Sequence, residues 1–131
     1  MLKVNNVEAV YSKIILALKG TTLNVPNGDI VALLGSNGAG KSTTLKAISG
    51  LLYAEDGQLT DGTIEFEGKS LKGLTTDVIV RKGIFLCMEG RRVFKVLTVE
   101  ENLTAGAFTR KDRSNIKKDI EKIYGYFPKL K

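Results

Sequence analysis

One glycine-rich run combines the residue types and the spacing that hold phosphate groups. Gly35 and Gly40 frame the pattern Gly-x-x-x-x-Gly-Lys-Ser/Thr, which ends in Lys41 and Ser42. Glycines let the backbone take positive φ angles and point successive N–H groups at phosphate oxygens. A lysine at this spacing places its charge on the β and γ phosphates, and the serine hydroxyl can bind Mg²⁺. The run therefore predicts a site for a nucleoside triphosphate with magnesium.

The segments on either side of this run must position it. Residues 30–34 form an unbroken apolar run that is typical of a strand buried on both faces. Residues 43–49 are predicted to be helical, and a helix opening near Lys41 adds free N–H donors and the positive end of its dipole. Strand, loop and helix in this order favour a phosphate-binding loop over the alternative, an ordinary glycine-rich turn.

Chain length and hydropathy limit what the molecule can be. A chain of 131 residues suits one domain and is too short for two ordinary ones. Its longest apolar runs, such as residues 14–18 and 30–34, fall far below the ~20 residues that span a bilayer, so we expect no transmembrane segment. The first residues do not resemble a secretory signal, which predicts a cytoplasmic protein. The single cysteine, Cys87, lies in an apolar run and is expected to be a small core residue.

The formal charge of +6 raises the question of a nucleic-acid partner. Basic residues are mixed with acidic ones, as in the run from Arg110 to Arg113, which is typical of a solvated helix face. The aromatic residues do not alternate with basic ones as in a base-stacking platform. We therefore expect no nucleic-acid partner. The alternatives for the basic residues are an anionic nucleotide and the inner membrane surface, which net charge does not distinguish.

The first half of the chain is predicted to contain strands at residues 2–10 and 17–25, followed by a turn at residues 26–29. Gly50 should end the first helix. Residues 55–62 are predicted to form a polar loop, and residues 63–67 a half-exposed strand.

The second half should be mostly helical. Residues 76–82 are predicted to form a short helix with Gly83 as its cap, and residues 84–88 a second buried strand. Thr98 and Glu101 form a capping box for a helix that should end near Ala107. Residues 114–124 should form another helix, which has an apolar stripe.

The pattern of buried strands is incomplete. Only residues 30–34 and 84–88 resemble fully buried parallel strands, which need neighbouring strands and helices on both faces. A phosphate-cleaving enzyme of this class also needs a strand that ends in Asp, and none follows Lys41. We therefore expect an unfinished nucleotide-binding core.

Three stretches carry a resemblance to a known family. Residues 29–45, with Asn-Gly-Ala-Gly-Lys-Ser-Thr at their centre, closely resemble the P-loop region of ATP-binding cassette (ABC) transporter subunits. Residues 89–94 and 97–103 resemble the branch that drives import of branched-chain amino acids. Residues 126–130 are similar to the helical subdomain of that branch. The resemblance covers the whole chain but only about the first half of such a subunit.

The resemblance implies an α/β fold with a P-loop NTPase (ABC ATPase-like) core. That core is expected to be incomplete, with an antiparallel β layer and the start of a helical subdomain. Residues 1–131 would be a partial nucleotide-binding domain, with the β layer and P-loop core in about 1–95 and the helical subdomain beginning in about 96–131.

The resemblance also assigns roles to residues. Lys41 would act in catalysis through the phosphates, Ser42 would bind Mg²⁺, and Glu89 would take the place of the Q-loop glutamine near Mg²⁺ and the attacking water. The alternative for Glu89 is a solvent-facing residue paired with Arg91 or Arg92. The residues implied to hold the ATP phosphates are Gly35, Ser36, Asn37, Gly38, Ala39, Gly40, Lys41, Ser42 and Thr43.

Several positions depart from the family pattern. The adenine-stacking aromatic usually falls where this chain has Ser12, so Tyr11 stacks on the base only after a register change; the alternative is strand packing. Cys87-Met88 replaces Val-Pro before Glu89, and Gly125 interrupts a helix end. The Leu-Ser-Gly-Gly signature, the Asp-bearing strand, the catalytic Glu and the switch His are absent from these 131 residues.

We interpret the sequence as the amino-terminal part of the ATP-binding, energy-coupling subunit of a branched-chain amino acid importer. Such a subunit is cytoplasmic and peripheral on the inner face of the membrane, and its partners are transmembrane permease subunits and a second ATP-binding subunit. We expect the chain alone not to turn over ATP. The alternatives are a nucleotide-binding or interaction module without turnover and a small P-loop kinase, whose Arg-rich lid is not evident.

Overall fold

The computed structural model describes residues 1–90 and 92–131, which form two compact units, Met1–Leu86 and Cys87–Lys131. The first unit holds an antiparallel sheet and the glycine-rich loop, and the second holds two helices. The functional division that the family resemblance places near residue 95 stays a prediction.

Four antiparallel strands form the sheet of the first unit, in the order β2-β1-β3-β4. The two strands predicted first are confirmed, as is the turn that follows them. The strands are β1 (Leu2–Tyr11), β2 (Ile15–Val25), β3 (Gly57–Phe66) and β4 (Lys69–Ser70).

An irregularity in β1 keeps its apolar side chains on the core face. Val4, Val7 and Ala9 are all buried, although the first two are three residues apart. The register of β1 against β2 shifts between Val4 and Val7, and Asn6 takes a positive φ. A bulge of this kind inserts one residue, so that the alternation resumes on the same face.

The polar segment at residues 55–62 is not a loop, so that prediction was wrong. Residues 52–55 form a single 3₁₀ turn, and β3 begins at Gly57. Gly57 pairs with Tyr11 and Leu59 pairs with Ala9. Pairing with the central strand therefore outweighs the low strand propensity of the polar and glycine residues.

The two segments predicted to be buried parallel strands are not strands. Residues 30–34 and 84–88 have no ladder partner in the described part of the chain. Ile30 is 100% exposed and Leu34 is 87% exposed. Cys87 is exposed as well, so its expected place in a core is also wrong. An apolar run becomes a buried strand only when neighbouring strands bind its N–H and C=O groups.

Helix α1 (Lys41–Ser49) packs on the sheet and completes the core of the first unit. Its buried residues include Ala47 and Ile48, which join a cluster with Leu52 and Ile64. Gly50 ends the helix in the left-handed conformation, as predicted. Helix α2 (Thr76–Arg81) follows, and Gly83 lies just beyond it with a φ of +97°, which fits the predicted cap.

The second unit contains α3 (Val99–Gly106) and α4 (Arg113–Tyr126), followed by a 3₁₀ turn at Pro128–Leu130. Helix α3 begins with the predicted capping box at Thr98 and Glu101. The predicted stripe of α4 is confirmed, because Ile120 is buried and Ile116 and Ile123 are half-buried. Gly125 does not interrupt the helix, which continues to Tyr126.

Candidate functional site

The glycine-rich loop closes on itself directly before α1. The N–H of Ala39 donates to the carbonyl oxygen of Ser36 at 3.2 Å. Gly40 is the N-cap residue of α1, with φ 85° and ψ 6°, and its carbonyl accepts from the N–H of Thr44 at 2.8 Å. The predicted helix opening near Lys41 is confirmed. The loop therefore ends where the free N–H groups of a helix begin.

Two glycines of the loop have the same backbone conformation but different surroundings. Gly38 has a φ of +83°, and a Cβ at this position would meet no atom within 4 Å. Gly40 has a φ of +85°, and a Cβ there would lie 2.6 Å from Leu18 Cδ2 and 3.0 Å from the carbonyl oxygen of Ala17. Gly38 thus leaves open space above the loop, while Gly40 lets the loop lie directly against β2.

The ammonium group of Lys41 lies across the loop. Its Nζ donates to the carbonyl oxygens of Gly35 at 2.9 Å and Ser36 at 2.7 Å. Both acceptors are neutral, and no carboxylate in the described part of the chain forms an ion pair with this lysine. Since an ammonium has three donors, one donor and the full positive charge stay available to an anion.

The first turn of α1 presents three hydroxyl groups in different environments. Ser42 is exposed, and Thr43 is half-buried. Thr44 was not singled out from the sequence; it is buried, and its Oγ1 donates to the Gly40 carbonyl at 2.9 Å. A threonine four residues after a helix-capping glycine is the signal that could have found it. This bond ties the end of the loop to the helix.

Tyr11 lies outside the loop, at the end of β1. It is half-buried and packs against the core cluster, opposite Ile15 and Gly57 in the sheet. The strand-packing alternative therefore describes its side chain in this structure. Stacking of Tyr11 on a nucleotide base stays a prediction.

Glu89 belongs to the second unit and is exposed. The guanidinium Nε of Arg92 donates to the backbone carbonyl of Glu89 at 3.2 Å, not to its carboxylate. The other proposed partner, Arg91, lies outside the described residues. The structure thus brings the loop residues 35–43 together, and Glu89 is not part of that cluster within the first unit.

The described residues contain neither a cluster of metal-binding side chains nor a membrane-spanning helix. Across residues 1–90 and 92–131, no group of three or more His, Cys, Asp or Glu side chains could hold a metal ion. No helix in the same ranges is long and apolar enough to cross a membrane.

Comparison with known sequences identifies close relatives. A family model described as ABC transporter matches residues 18–128. The chain is 43% identical over 131 residues to the high-affinity branched-chain amino acid transport ATP-binding protein BraG of Pseudomonas aeruginosa, covering 100% of this chain and 53% of the relative. It is 36% identical over 108 residues to a phosphonates import ATP-binding protein of Synechococcus sp., covering 81% of this chain and 38% of that protein. The chain spans about half the length, or less, of these curated relatives.

Comparison with solved structures gives the same fold. One neighbour is a dimeric ATP-binding cassette in a post-hydrolysis state, bound to ADP and Pi. The TM-score is 0.72 at 26% identity, and the match covers 92% of this chain and 55% of that one. This likeness confirms the expected fold class, a partial α/β nucleotide-binding domain with an antiparallel β layer.

Proposed function

The chain belongs to the ABC transporter family, and on that premise we propose that it binds ATP with Mg²⁺ through residues 35–43. We further propose that it is part of the energy-coupling subunit of a branched-chain amino acid importer. The observation that carries the proposal is the loop itself, which joins a lysine that forms no ion pair within residues 1–90 and 92–131 to the N terminus of a helix.

The loop fits a triphosphate chemically. Gly38 leaves space for a group to approach the backbone closely, because a Cβ there would meet nothing within 4 Å. The helix N terminus offers N–H donors and a partial positive charge to an anion. Lys41 adds a full charge that the Gly35 and Ser36 carbonyls orient without neutralising. These three features favour a ligand that carries several negative charges.

The exposed hydroxyl of Ser42 would supply the protein's ligand to Mg²⁺, which prefers oxygen donors and keeps several waters and substrate phosphates in its shell. Bound Mg²⁺ would neutralise charge on the phosphates. In our proposal Glu89 faces the same cation, and Tyr11 stacks on the base; both roles rest on the family resemblance.

Import of branched-chain amino acids is the finer part of the proposal. The relative named for branched-chain amino acid transport is similar over all 131 residues, while the phosphonate relative is similar over 108 residues at lower identity. We infer that the chain works with transmembrane permease subunits and a second ATP-binding subunit, on the inner face of the membrane. Measuring which solute accumulates in cells that express the intact transporter tests this inference, and uptake of phosphonate instead of leucine would contradict it.

Calorimetric titration with Mg-ATP tests the binding proposal. Lys41→Ala removes a charge-assisted bond, so binding should weaken by about 1.5 to 3 kcal/mol, or roughly 10- to 150-fold. Lys72→Ala is the matched control, since it removes an exposed lysine of the same unit outside the loop. Equal affinities for the wild type and Lys41→Ala, or an equal loss in both variants, would contradict the proposal.

The 131-residue chain alone should bind ATP without turning it over. Its sequence has no Leu-Ser-Gly-Gly motif and no Asp-bearing strand after Lys41. In this reaction class that Asp holds Mg²⁺, and a further carboxylate, which the family pattern places directly after it, orients the attacking water; these 131 residues contain neither. Phosphate release should stay at background at every protein concentration. Turnover near about 1 s⁻¹, within the ordinary enzyme range, that disappears in Lys41→Ala would show that the chain is a complete ATPase.

A further inference from the structure

Most of the net positive charge of the chain lies in its last segment, residues 110–131. Residues 110–131 contain eight basic and three acidic side chains, so this segment holds +5 of the formal +6. The proposed ATP site lies elsewhere, at residues 35–43, and does not use this charge. The basic side chains are Arg110, Lys111, Arg113, Lys117, Lys118, Lys122, Lys129 and Lys131.

The three acidic residues of this segment are already paired with two of its basic residues. Arg110 contacts Asp112 and Asp119, each at 2.5 Å, and Lys131 lies 3.7 Å from Glu121. These contacts hold the pKa of Asp112 down at about 2, mainly through the hydrogen bond from Arg110. The other six cations form no ion pair within the described part of the chain. They therefore present a strong positive potential to any anionic surface.

Helix α4 separates this charge from its apolar side. Ile116, Ile120 and Ile123 line a gap shared with residues of α3, so this stripe faces the interior of the second unit. Lys118 and Lys122 are exposed, lie one turn apart, and line an open depression of about 610 Å³. The helix is thus amphipathic, with lysines on its solvent side.

Aromatic side chains follow the lysines at the end of the helix. Tyr126 is 68% exposed and Phe127 is 60% exposed. The Nζ of Lys122 lies 5.9 Å from the centroid of the Tyr126 ring. An exposed tyrosine ring beside lysines suits the membrane–water interface, where amphipathic rings lie at headgroup level and basic side chains are attracted to anionic lipids.

We propose that the face formed by Lys118, Lys122 and Tyr126, which follow one another at four-residue spacing along α4, binds the anionic headgroups of a lipid bilayer. The choice of a bilayer over another polyanion rests on the proposed function, because a transporter subunit works beside a membrane. Each lysine near an anionic surface strengthens binding about fivefold, so these two lysines together contribute about 25-fold. The ring of Tyr126 adds apolar contact at the interface.

Vesicle flotation of the full 131-residue chain tests the proposal. The chain should float with vesicles of equimolar phosphatidylcholine and phosphatidylglycerol at about 0.15 M salt, and should stay in solution with phosphatidylcholine alone. High salt should release it. Equal partitioning to both kinds of vesicle, or to neither, would overturn the proposal.

Charge-matched variants test whether the lysines of α4 are the residues that bind the vesicles. The double variant K118Q/K122Q should lose about 25-fold in partitioning, while K118R/K122R should keep it. The control K3Q/K19Q removes the same charge from exposed positions of the first unit and should partition like the wild type. An equal loss in the control would mean that net charge alone acts, and would contradict a site on α4. Circular dichroism checks that each variant is folded.

Two further measurements distinguish the lipid site from the proposed ATP site and from a nucleic-acid site. Mg-ATP titration and flotation are both measured on the wild-type chain, and a failure of the wild type to bind ATP with intact flotation counts against the proposed function alone. Normal ATP binding without flotation counts against the lipid site alone. A single-stranded oligonucleotide that binds more tightly than the vesicles, at equal phosphate concentration, would assign this face to nucleic acid and overturn the proposal.

Discussion

At the scale of single residues, the loop shows which details spacing can predict. The residue types allow a positive φ at Gly35, Gly38 and Gly40 and predict a helix that opens near Lys41. The structure has the positive φ at Gly38 and Gly40 but not at Gly35, and the helix begins at Lys41. The carbonyl partners of Lys41 and the bond from Thr44 to Gly40 could not be predicted in the same way. Those contacts depend on the folded path of the loop, which the residue types alone do not specify.

Gly38 and Gly40 make a matched pair for a stability test. Gly38→Ala adds only the cost of a left-handed backbone, about 1 to 2 kcal/mol. Gly40→Ala adds the same strain and a clash with Leu18 and the backbone of β2, so it should cost about 2 to 5 kcal/mol in total. Urea unfolding measures both variants. Equal losses of stability would mean that the close approach of Gly40 to β2 does not occur in solution.

At the scale of elements, local chemistry was easier to predict than pairing. The capping box at Thr98 and Glu101 needs only residues three apart, and the structure contains both of its hydrogen bonds. Residues 30–34 and 84–88 were predicted as strands from apolar content alone, and they have no ladder partner in the parts of the chain that the structure describes. The prediction for the start of β3 was wrong in the opposite sense, since a polar loop was expected there. Pairing with β1 makes this segment a strand although its composition does not predict one.

The capping box also gives α3 a dependence on pH. The Thr98 N–H and the Thr98 hydroxyl both donate to the Glu101 carboxylate. These bonds lower the pKa of the carboxylate below its ordinary 4.5, and the N–H has the larger effect. The stabilisation is therefore present above pH 4.5 and is lost as the pH falls through the lowered pKa of the folded state. The Thr98 amide signal in NMR should titrate with a midpoint below 4.5, and a midpoint at or above that value would contradict the capping box in solution.

Asn102 holds the segment before α3 in place. Its Nδ2 donates to the carbonyls of Phe94, Leu97 and Thr98 at 3.1, 3.2 and 2.9 Å, and its Oδ1 accepts from the Phe94 N–H at 2.9 Å. Asn102→Asp keeps an acceptor for Phe94 but loses the three donor contacts. Hydrogen exchange at residues 94–98 should therefore rise in both variants, because Asn102→Ala removes the contacts and the second carboxylate oxygen of Asn102→Asp would face carbonyl oxygens that it cannot bind. Unchanged exchange in both variants would exclude this role.

At the scale of the whole molecule, apolar surface is exposed at residues 30–34 and 84–88, which have no ladder partner among the residues that the structure describes. Ile30, Leu34 and Phe85 are all well exposed. The chain spans about half the length of the relatives that it matches. Unpaired extended segments and apolar patches favour association.

The purified 131-residue chain should therefore self-associate and bind a hydrophobic dye. Ile30→Lys with Leu34→Lys should reduce both effects, since each change places a charge on the exposed run. Sedimentation velocity and dye fluorescence measure them. A monodisperse monomer that melts cooperatively above about 60 °C would show that these residues close their own core.

Binding of ATP by the glycine-rich loop is the central claim, and an NMR titration of the labelled chain with Mg-ATP tests it most directly. Phosphates that bind the backbone N–H groups of the loop should shift the amide signals of residues 36–43 more than any others. Adenosine, which has no phosphate, should leave those signals in place. Largest shifts among residues 110–131, or no shifts in the loop at saturating Mg-ATP, would contradict the account.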